Sequence, residues 1–358
     1  MPQSFLIVRL GALGDIVHAT PLVAAIASRW PDARIDWVVE RKHRAVLGLV
    51  TGLRQVVEFK SRRLWAAPGW VGTIRALRAM RYDVVFDAQG LLKSAALARA
   101  ARGARTVGFA SPSLREPLAR GFYSEAIDPA GATHVVEKNL ALLRAVGIDA
   151  PEVRFPLRRD PESASVRNAI EDLGGRFAVL NPGGGWPNKR WPPERFGAVA
   201  AELARRHDVR SFVLWGPGDE TLADAVAGAS GGTARRAPRT TIADVVALLR
   251  RARLLVSGDT GPLHLATAVG TPIVGIYGPT DPARNGPLAT SDVCVSRNDV
   301  CECFHLRKCR AARWCLETIT VDEVVQAIDR RLAPAEAGAS GGRGTAEGGA
   351  PGKGGEAR

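Results

Sequence analysis

The residues best suited to chemistry lie in Gly258-Asp259-Thr260-Gly261-Pro262, which follows the apolar run Leu254–Ser257 and opens a helical stretch reaching Val269. Such a turn aims the free amides at a helix start toward whatever occupies the strand's carboxyl end, and that geometry favours a phosphate. Gly261 lets the backbone approach a ligand with no Cβ in the way. Pro262 takes a helical position whose N–H would have no partner. Asp259, Thr260 and His264 face the same crevice. His264, one turn into the helix, either contacts the turn backbone or takes part in catalysis.

Three further turns carry groups of the same kind. Asn181–Pro192 delivers Lys189 and Arg190, either of which can neutralise a diphosphate, on a loop stiffened by Trp186, Pro187, Trp191 and Pro192. Trp215–Glu220 offers Asp219 and Glu220, and one of these carboxylates can accept hydrogen bonds from ribose hydroxyls or simply cap a helix. Gly11-Ala12-Leu13-Gly14-Asp15-Ile16 follows the first apolar run, and it is neither a dinucleotide fingerprint nor a phosphate-binding P-loop. Asp15 there either caps the helix or takes a proton from an acceptor hydroxyl.

These turns need strands to mount them. Apolar runs at Phe5–Arg9, Ile35–Val39, Asp83–Asp87 and Thr106–Phe109 alternate with helical patterns at Ile16–Arg29, Val71–Met80 and Leu91–Ala101, followed by a helix around His134–Val146. A second series has strands at Phe177–Leu180, Val209–Leu214, Leu254–Ser257 and Ile273–Ile276. Its helices fall at Pro193–Arg206, Leu222–Ala227, Ile242–Arg250 and Val321–Leu332. This rhythm predicts an α/β protein of two doubly wound parallel sheets facing a cleft. We place the domains at 1–157 and 158–332, with 333–358 a disordered tail of Gly, Ala and Pro.

Of the formal charge of +13, residues 1–157 hold +9, so the first domain should meet an anionic partner. No aromatic platform or nucleic-acid motif accompanies the basic residues, which directs the expectation to a phosphorylated acceptor or an anionic membrane surface. No apolar run is long enough to span a membrane and no basic leader with a cleavage site is evident, so we expect a cytosolic chain. Cys301, Cys303, Cys309 and Cys315 are expected to be thiols. Four sulfurs within fifteen residues could surround a structural zinc, but the spacing lacks paired C-x2-C knuckles, and we expect no metal and no cofactor.

Gly14-Asp15, Asp87-Ala88-Gln89-Gly90-Leu91 with Lys93-Ser94, Lys189-Arg190-Trp191-Pro192, Asp259-Thr260-Gly261 with His264, and Tyr277-Gly278-Pro279-Thr280 together resemble the lipopolysaccharide heptosyltransferases of glycosyltransferase family nine. The resemblance covers residues 1 to about 330 and implies the GT-B fold, with the donor in the carboxyl-terminal domain and the acceptor in the other. The Asp87–Ser94 block and Arg115–Ala119 are most similar to the enzyme that adds the first heptose to Kdo. Gly11-Ala12-Leu13 and the cysteine cluster resemble the branches that add a second or later heptose.

The resemblance implies an inverting transfer of heptose from ADP-L-glycero-D-manno-heptose to the anionic Kdo-lipid of the inner core, with peripheral contact at the inner membrane. Asp15 would deprotonate the acceptor, and Lys189 with the amides of Thr260 and Gly261 would stabilise the departing diphosphate. Asp259 would hold the turn or the sugar hydroxyls, His264 would lie at the donor, Glu220 would bind the ribose, and Arg62, Arg63 and Arg115 match acceptor-binding positions. Two rivals remain at this level: a sugar-nucleotide epimerase of the same fold, and a non-catalytic protein that binds a nucleotide sugar or nucleic acid.

Overall fold

Apolar runs of four to seven residues, too short for helices and buried on both faces, assemble into parallel sheets because only the ladder satisfies their amides away from water. The computed structural model describes residues 2–60, 67–304, 306–309, 311–312 and 314–333. Arg62, Arg63 and the tail from residue 334 onward lie outside the described residues.

The first half contains β1 (Ser4–Val8), α1 (Leu13–Ala19), α2 (Pro21–Arg29), β2 (Arg34–Glu40), α3 (Arg44–Leu47), β3 (Gln55–Phe59), α4 (Ala67–Arg78), β4 (Val84–Asp87), α5 (Leu92–Ala100), β5 (Arg105–Phe109), β6 (Glu125–Ile127) and α6 (Val135–Ala141). Its sheet has the order β3-β2-β1-β4-β5-β6 and every pairing is parallel. The second half contains α7 (Ala164–Asp172), β7 (Phe177–Asn181), α8 (Pro193–His207), β8 (Arg210–Val213), α9 (Glu220–Ala229), β9 (Ala234–Arg236), α10 (Ile242–Arg251), β10 (Leu255–Gly258), α11 (Gly261–Val269), β11 (Ile273–Tyr277), α12 (Pro282–Asn285), β12 (Val293–Ser296) and α13 (Val321–Leu332). Its order, β12-β11-β10-β7-β8-β9, repeats the pattern of the first sheet with all strands parallel.

In each sheet the chain reverses its winding direction between two central strands, β1 and β4 in one and β7 and β10 in the other. The carboxyl ends of such strand pairs form the crevice where ligands of doubly wound folds bind. All four of the turns singled out in the sequence follow β1, β7, β8 or β10.

Two features differ from expectation. The helix expected over Ile16–Arg29 is two helices, because Pro21 has no N–H to bond the carbonyl of Val17. Thr20 takes that carbonyl instead, through its amide at 3.0 Å and its hydroxyl at 2.8 Å. Strands β3, β6, β9 and β12, and helix α7, were not anticipated. All four of these strands are sheet edges of three to five residues with partial burial, which weakens the apolar signal.

One apolar cluster runs through both halves, from Phe5, Ile16 and Trp37 to Leu255, Leu263 and Tyr277. It is continuous because α1 packs on α11. Two glycines allow this approach. A Cβ on Gly14 would lie 2.1 Å from Cδ2 of His264, and one on Gly261 would lie 2.3 Å from Cδ2 of Leu13.

Replacing an ordinary helical glycine by alanine stabilises a helix by up to about 1 kcal/mol, but overpacking costs about 1–3 kcal/mol. Gly14→Ala should therefore lower the melting temperature, because the ring of His264 must shift. Gly72→Ala in α4, where no described atom lies within 4 Å of the new Cβ, should raise it. Thermal or urea unfolding of the two variants gives opposite signs if this packing is right.

Candidate active site

The first wall of the crevice is built at the end of β1. Arg9, the residue after that strand, is buried; its guanidinium pairs with Asp15 Oδ1 at 2.9 Å and donates to the carbonyl of Ala88. The other oxygen, Asp15 Oδ2, accepts the amide of Ala12 at 3.1 Å. Asp15 is the third residue of α1 rather than its cap residue, so it reaches back to the helix start while its carboxylate stays partly open to solvent. Burial pushes its pKa up, but Arg9, the Ala12 amide, His264 and Arg284 outweigh this, and the net shift is downward. Asp15 is a carboxylate throughout the neutral range.

Next to it, the loop after β4 is fixed by the fully buried Asp87. Its Oδ1 accepts the amides of Gln89 (2.9 Å) and Gly90 (3.2 Å), and its Oδ2 accepts Ser94 Oγ (2.9 Å) and the Tyr123 hydroxyl (2.8 Å). Gln89 Oε1 in turn accepts the amide of Leu10 at 2.7 Å. Glu116 Oε2 accepts the amide of Leu92 at 2.7 Å, which ties the segment carrying Arg115 to the start of α5, and Arg115 itself is exposed.

The second wall stands on β7 and β10. Asp259 is buried and fully engaged. Its Oδ1 accepts Asn285 Nδ2 (2.7 Å) and faces His264 Nε2 (3.1 Å), while Oδ2 pairs with Lys189 Nζ. Burial raises its pKa, yet hydrogen bonding and charge from His264 and Lys189 hold it far below the ordinary carboxylate range. Lys189 also lies 4.5 Å from the centre of the Trp186 ring. Thr260 begins α11 as its cap residue, and its hydroxyl accepts Asn181 Nδ2 at 2.8 Å. The amides of Thr260 and Gly261 open the helix, where no earlier turn supplies acceptors.

Lys189 and Arg190 point to different partners. Arg190 donates to the carbonyl of Gly184 (3.0 Å) and pairs with Asp219 at 3.4 Å, joining the loops after β7 and β8. Glu220 is the first residue of α9 and its Oε2 accepts the amide of Gly218 at 2.8 Å. Asp15, Lys189, Asp259, Thr260, Gly261 and His264 thus come together where α1 meets α11, Glu220 lies at the turn after β8, and Arg115 is exposed in the segment after β5. Arg9, Asn181, Asn285 and His18 join the site without having been singled out. Only Arg9, a lone cation ending a fully buried strand, left a signal in the sequence.

A family model described as glycosyltransferase family 9 (heptosyltransferase) matches residues 70–314. Lipopolysaccharide heptosyltransferase 1 of Pseudomonas aeruginosa is 32% identical over 307 residues, 83% of this chain and 84% of that relative. The protein of the same description from Escherichia coli K12 is 30% identical over 295 residues, 78% of this chain and 89% of the other. The structure of E. coli heptosyltransferase WaaC with ADP-2-deoxy-2-fluoro heptose superposes with a TM-score of 0.72 at 28% identity, covering 91% of this chain and 99% of that one.

Three histidines line the seam behind the crevice. The ring of His18 on α1 lies 4.3 Å from that of His264 and 5.5 Å from that of His134, measured between centroids. His134 Nδ1 accepts the amide of Val136 and its Nε2–H donates to the carbonyl of Gly286, an arrangement only the neutral ring can make. Burial lowers the pKa of His18 well below its usual value, helped by His264, His134 and Arg9 against the opposing charge of Asp259. Burial likewise lowers that of His134. The unfolded chain protonates these rings below about pH 6.5 while the folded one does not, so their stabilisation is complete above that pH and is lost as pH falls below it. Each contributes a slope of up to about 1.4 kcal/mol per pH unit. Urea unfolding should show lower stability at pH 5.5 than at 7.5, and His18→Gln should flatten that difference by about one proton. Asp15 and Asp259, with depressed values, act only below about pH 4 and leave this window untouched.

Proposed function

The chain belongs to glycosyltransferase family 9, the heptosyltransferases, and from that membership we propose that it moves heptose from ADP-L-glycero-D-manno-heptose to the Kdo of an inner-core lipopolysaccharide acceptor with inversion. The observation that carries this reading is the seating of α1 against α11, which brings the Asp15 carboxylate alongside the helix start at Thr260 and Gly261. A base and an anion site then meet in one crevice, as a single displacement requires.

In this mechanism Asp15 accepts the proton of the acceptor hydroxyl as that oxygen bonds to the anomeric carbon. The bond from the anomeric carbon to the β-phosphate oxygen breaks, and its electron pair leaves with ADP. Arg9 holds Asp15 ionised, which makes it a weak base suited to an oxygen whose acidity rises as its bond to an oxocarbenium-like centre forms. Lys189 turns from Asp259 toward the diphosphate, and the Thr260 and Gly261 amides share the charge; one well-placed donor of this kind contributes about 3–4 kcal/mol. Asp259 keeps His264 and Asn285 in place, and Glu220 lies at the turn where a ribose would be held.

The acceptor is read as anionic because the first 157 residues carry +9. Exposed Arg115, in the segment after β5, is consistent with this, with Arg62 and Arg63 assigned by resemblance alone. Among the described residues no helix is long and apolar enough to cross a membrane. Exposed Val71 and Leu118, with exposed Arg75, Arg78 and Arg115 on the same domain, suit docking on an anionic lipid surface.

Acceptor-dependent release of ADP from ADP-heptose, measured with a Kdo-lipid, tests the assignment. Asp15→Asn should lower kcat by a factor on the order of 10²–10⁴ and leave donor affinity near wild type. An unchanged turnover number would reduce Asp15 to a helix-start ligand.

Lys189→Ala should weaken donor binding and slow turnover together, since its charge meets a diphosphate both before and after bond cleavage. Donor titration and steady-state kinetics on this one variant decide the point, and wild-type values in both would remove Lys189 from the donor site.

A further inference from the structure

Residues 306–313, Leu-Arg-Lys-Cys-Arg-Ala-Ala-Arg, put four cations into eight positions with no carboxylate among them. They belong to the irregular segment between β12 and α13, and two sets of contacts fix where that segment lies. Its ends meet where Cys315 Sγ approaches Cys301 Sγ at 3.2 Å, beside the buried Cys303 at 3.4 Å from Cys301. Its middle is tied to the loop after β7. The buried Asn188 donates through Nδ2 to Cys303 Sγ at 3.3 Å and to the carbonyl of Leu306 at 2.9 Å. Lys189 follows Asn188 and Arg307 follows Leu306, so one side chain sets two cation-bearing backbones next to each other.

Both cations reach the same ring. Lys189 Nζ lies 4.5 Å and Arg307 Cζ lies 5.7 Å from the centre of Trp186, which places the two charges within about 10 Å of each other, a Debye length at ordinary ionic strength. Each is attracted to the ring and repelled by the other cation. Their counter-charges differ. Lys189 is matched by Asp259, whereas Arg307 is exposed and pairs with no carboxylate among the described residues. An anion that meets Lys189 would supply the charge that Arg307 lacks.

We propose that Arg307 is a second donor-binding cation, which holds the diphosphate of the nucleotide sugar together with Lys189, with Trp186 as their common mount. This rests on the assignment of the donor diphosphate to the Lys189 turn. A diphosphate joined to a nucleoside and a sugar carries two negative charges and gains a further one as the sugar leaves. Lys189 supplies one positive charge, and Arg307 supplies the second. The planar fork of an arginine can also engage two phosphate oxygens at once, which an ammonium cannot.

Titration of the full-length protein with ADP and with adenosine, which has no phosphate, tests this. Arg307→Ala should weaken ADP about tenfold, the loss of one charge-assisted contact, and leave adenosine affinity unchanged. Arg307→Lys should fall between, because the charge stays and the fork is lost. Lys308→Ala, which removes the neighbouring exposed charge, should bind ADP like the wild type. Wild-type ADP affinity in Arg307→Ala would overturn the proposal. So would an equal loss in Lys308→Ala or an equal loss for adenosine, since either reports something other than contact between Arg307 and phosphate. Lys189→Ala titrated alongside separates this failure from that of the donor-site reading. If it weakens ADP while Arg307→Ala does not, Arg307 alone leaves the site; if neither variant moves ADP affinity, the Lys189 assignment falls as well.

Discussion

Helices α1 and α11 meet with one side chain of each packed on a glycine of the other, His264 over Gly14 and Leu13 over Gly261. Each helix follows a central strand of its own sheet, so this contact brings two topological switch points together and leaves a shared crevice above them. Larger residues at either glycine would separate the helices by the thickness of a side chain. The carboxylate on one wall and the helix amides on the other would then no longer address the same small volume, and misplacement of about an ångström is enough to cost orders of magnitude in rate.

Charge is arranged around that contact as two pairs of opposite design. Arg9 and Asp15 stand on the first wall with the carboxylate partly open to solvent, so under the proposed mechanism an acceptor hydroxyl would reach it without breaking the pair. Lys189 and Asp259 stand on the second wall, both largely buried. A buried pair gains little net stability because desolvation offsets its attraction, but in the proposed mechanism it holds a cation where the diphosphate would arrive. Asp259 can release Lys189 at reduced cost because His264 and Asn285 still satisfy its other oxygen.

Rigid mounting extends outward from both walls. Asp87 fixes the loop whose Ala88 carbonyl receives Arg9, so a carboxylate with no access to the crevice sets the orientation of the one that has it. On the other side, Asn188 joins the Lys189 loop to the segment of four cysteines. The rings of His18 and His134, which burial holds toward the neutral form, lie between.

Local pattern was sufficient for the sheet strands with uninterrupted apolar runs, for the turn Gly258–Pro262, and for the motifs that resemble family nine, because each depends on residues a few positions apart. It also located Asp15, Lys189, Asp259, Thr260 and Gly261 at strand ends, since a doubly wound sheet places its ligands there whatever the partner strands are. The edge strands β3, β6, β9 and β12 escaped because partly exposed strands of a few residues need little apolar content. Arg9, Asn181, His18 and Asn285 escaped for a different reason. Their roles come from partners that only the strand order brings near: Ala88 lies 79 residues from Arg9, Thr260 lies 79 from Asn181, and the Asp259 reached by Asn285 lies 26 residues away with β11 between them. Sequence determined which groups stand at the ends of strands; the close approach of α1 and α11 decided which of them face each other, because the glycines that permit that approach have no side chain with which to announce it.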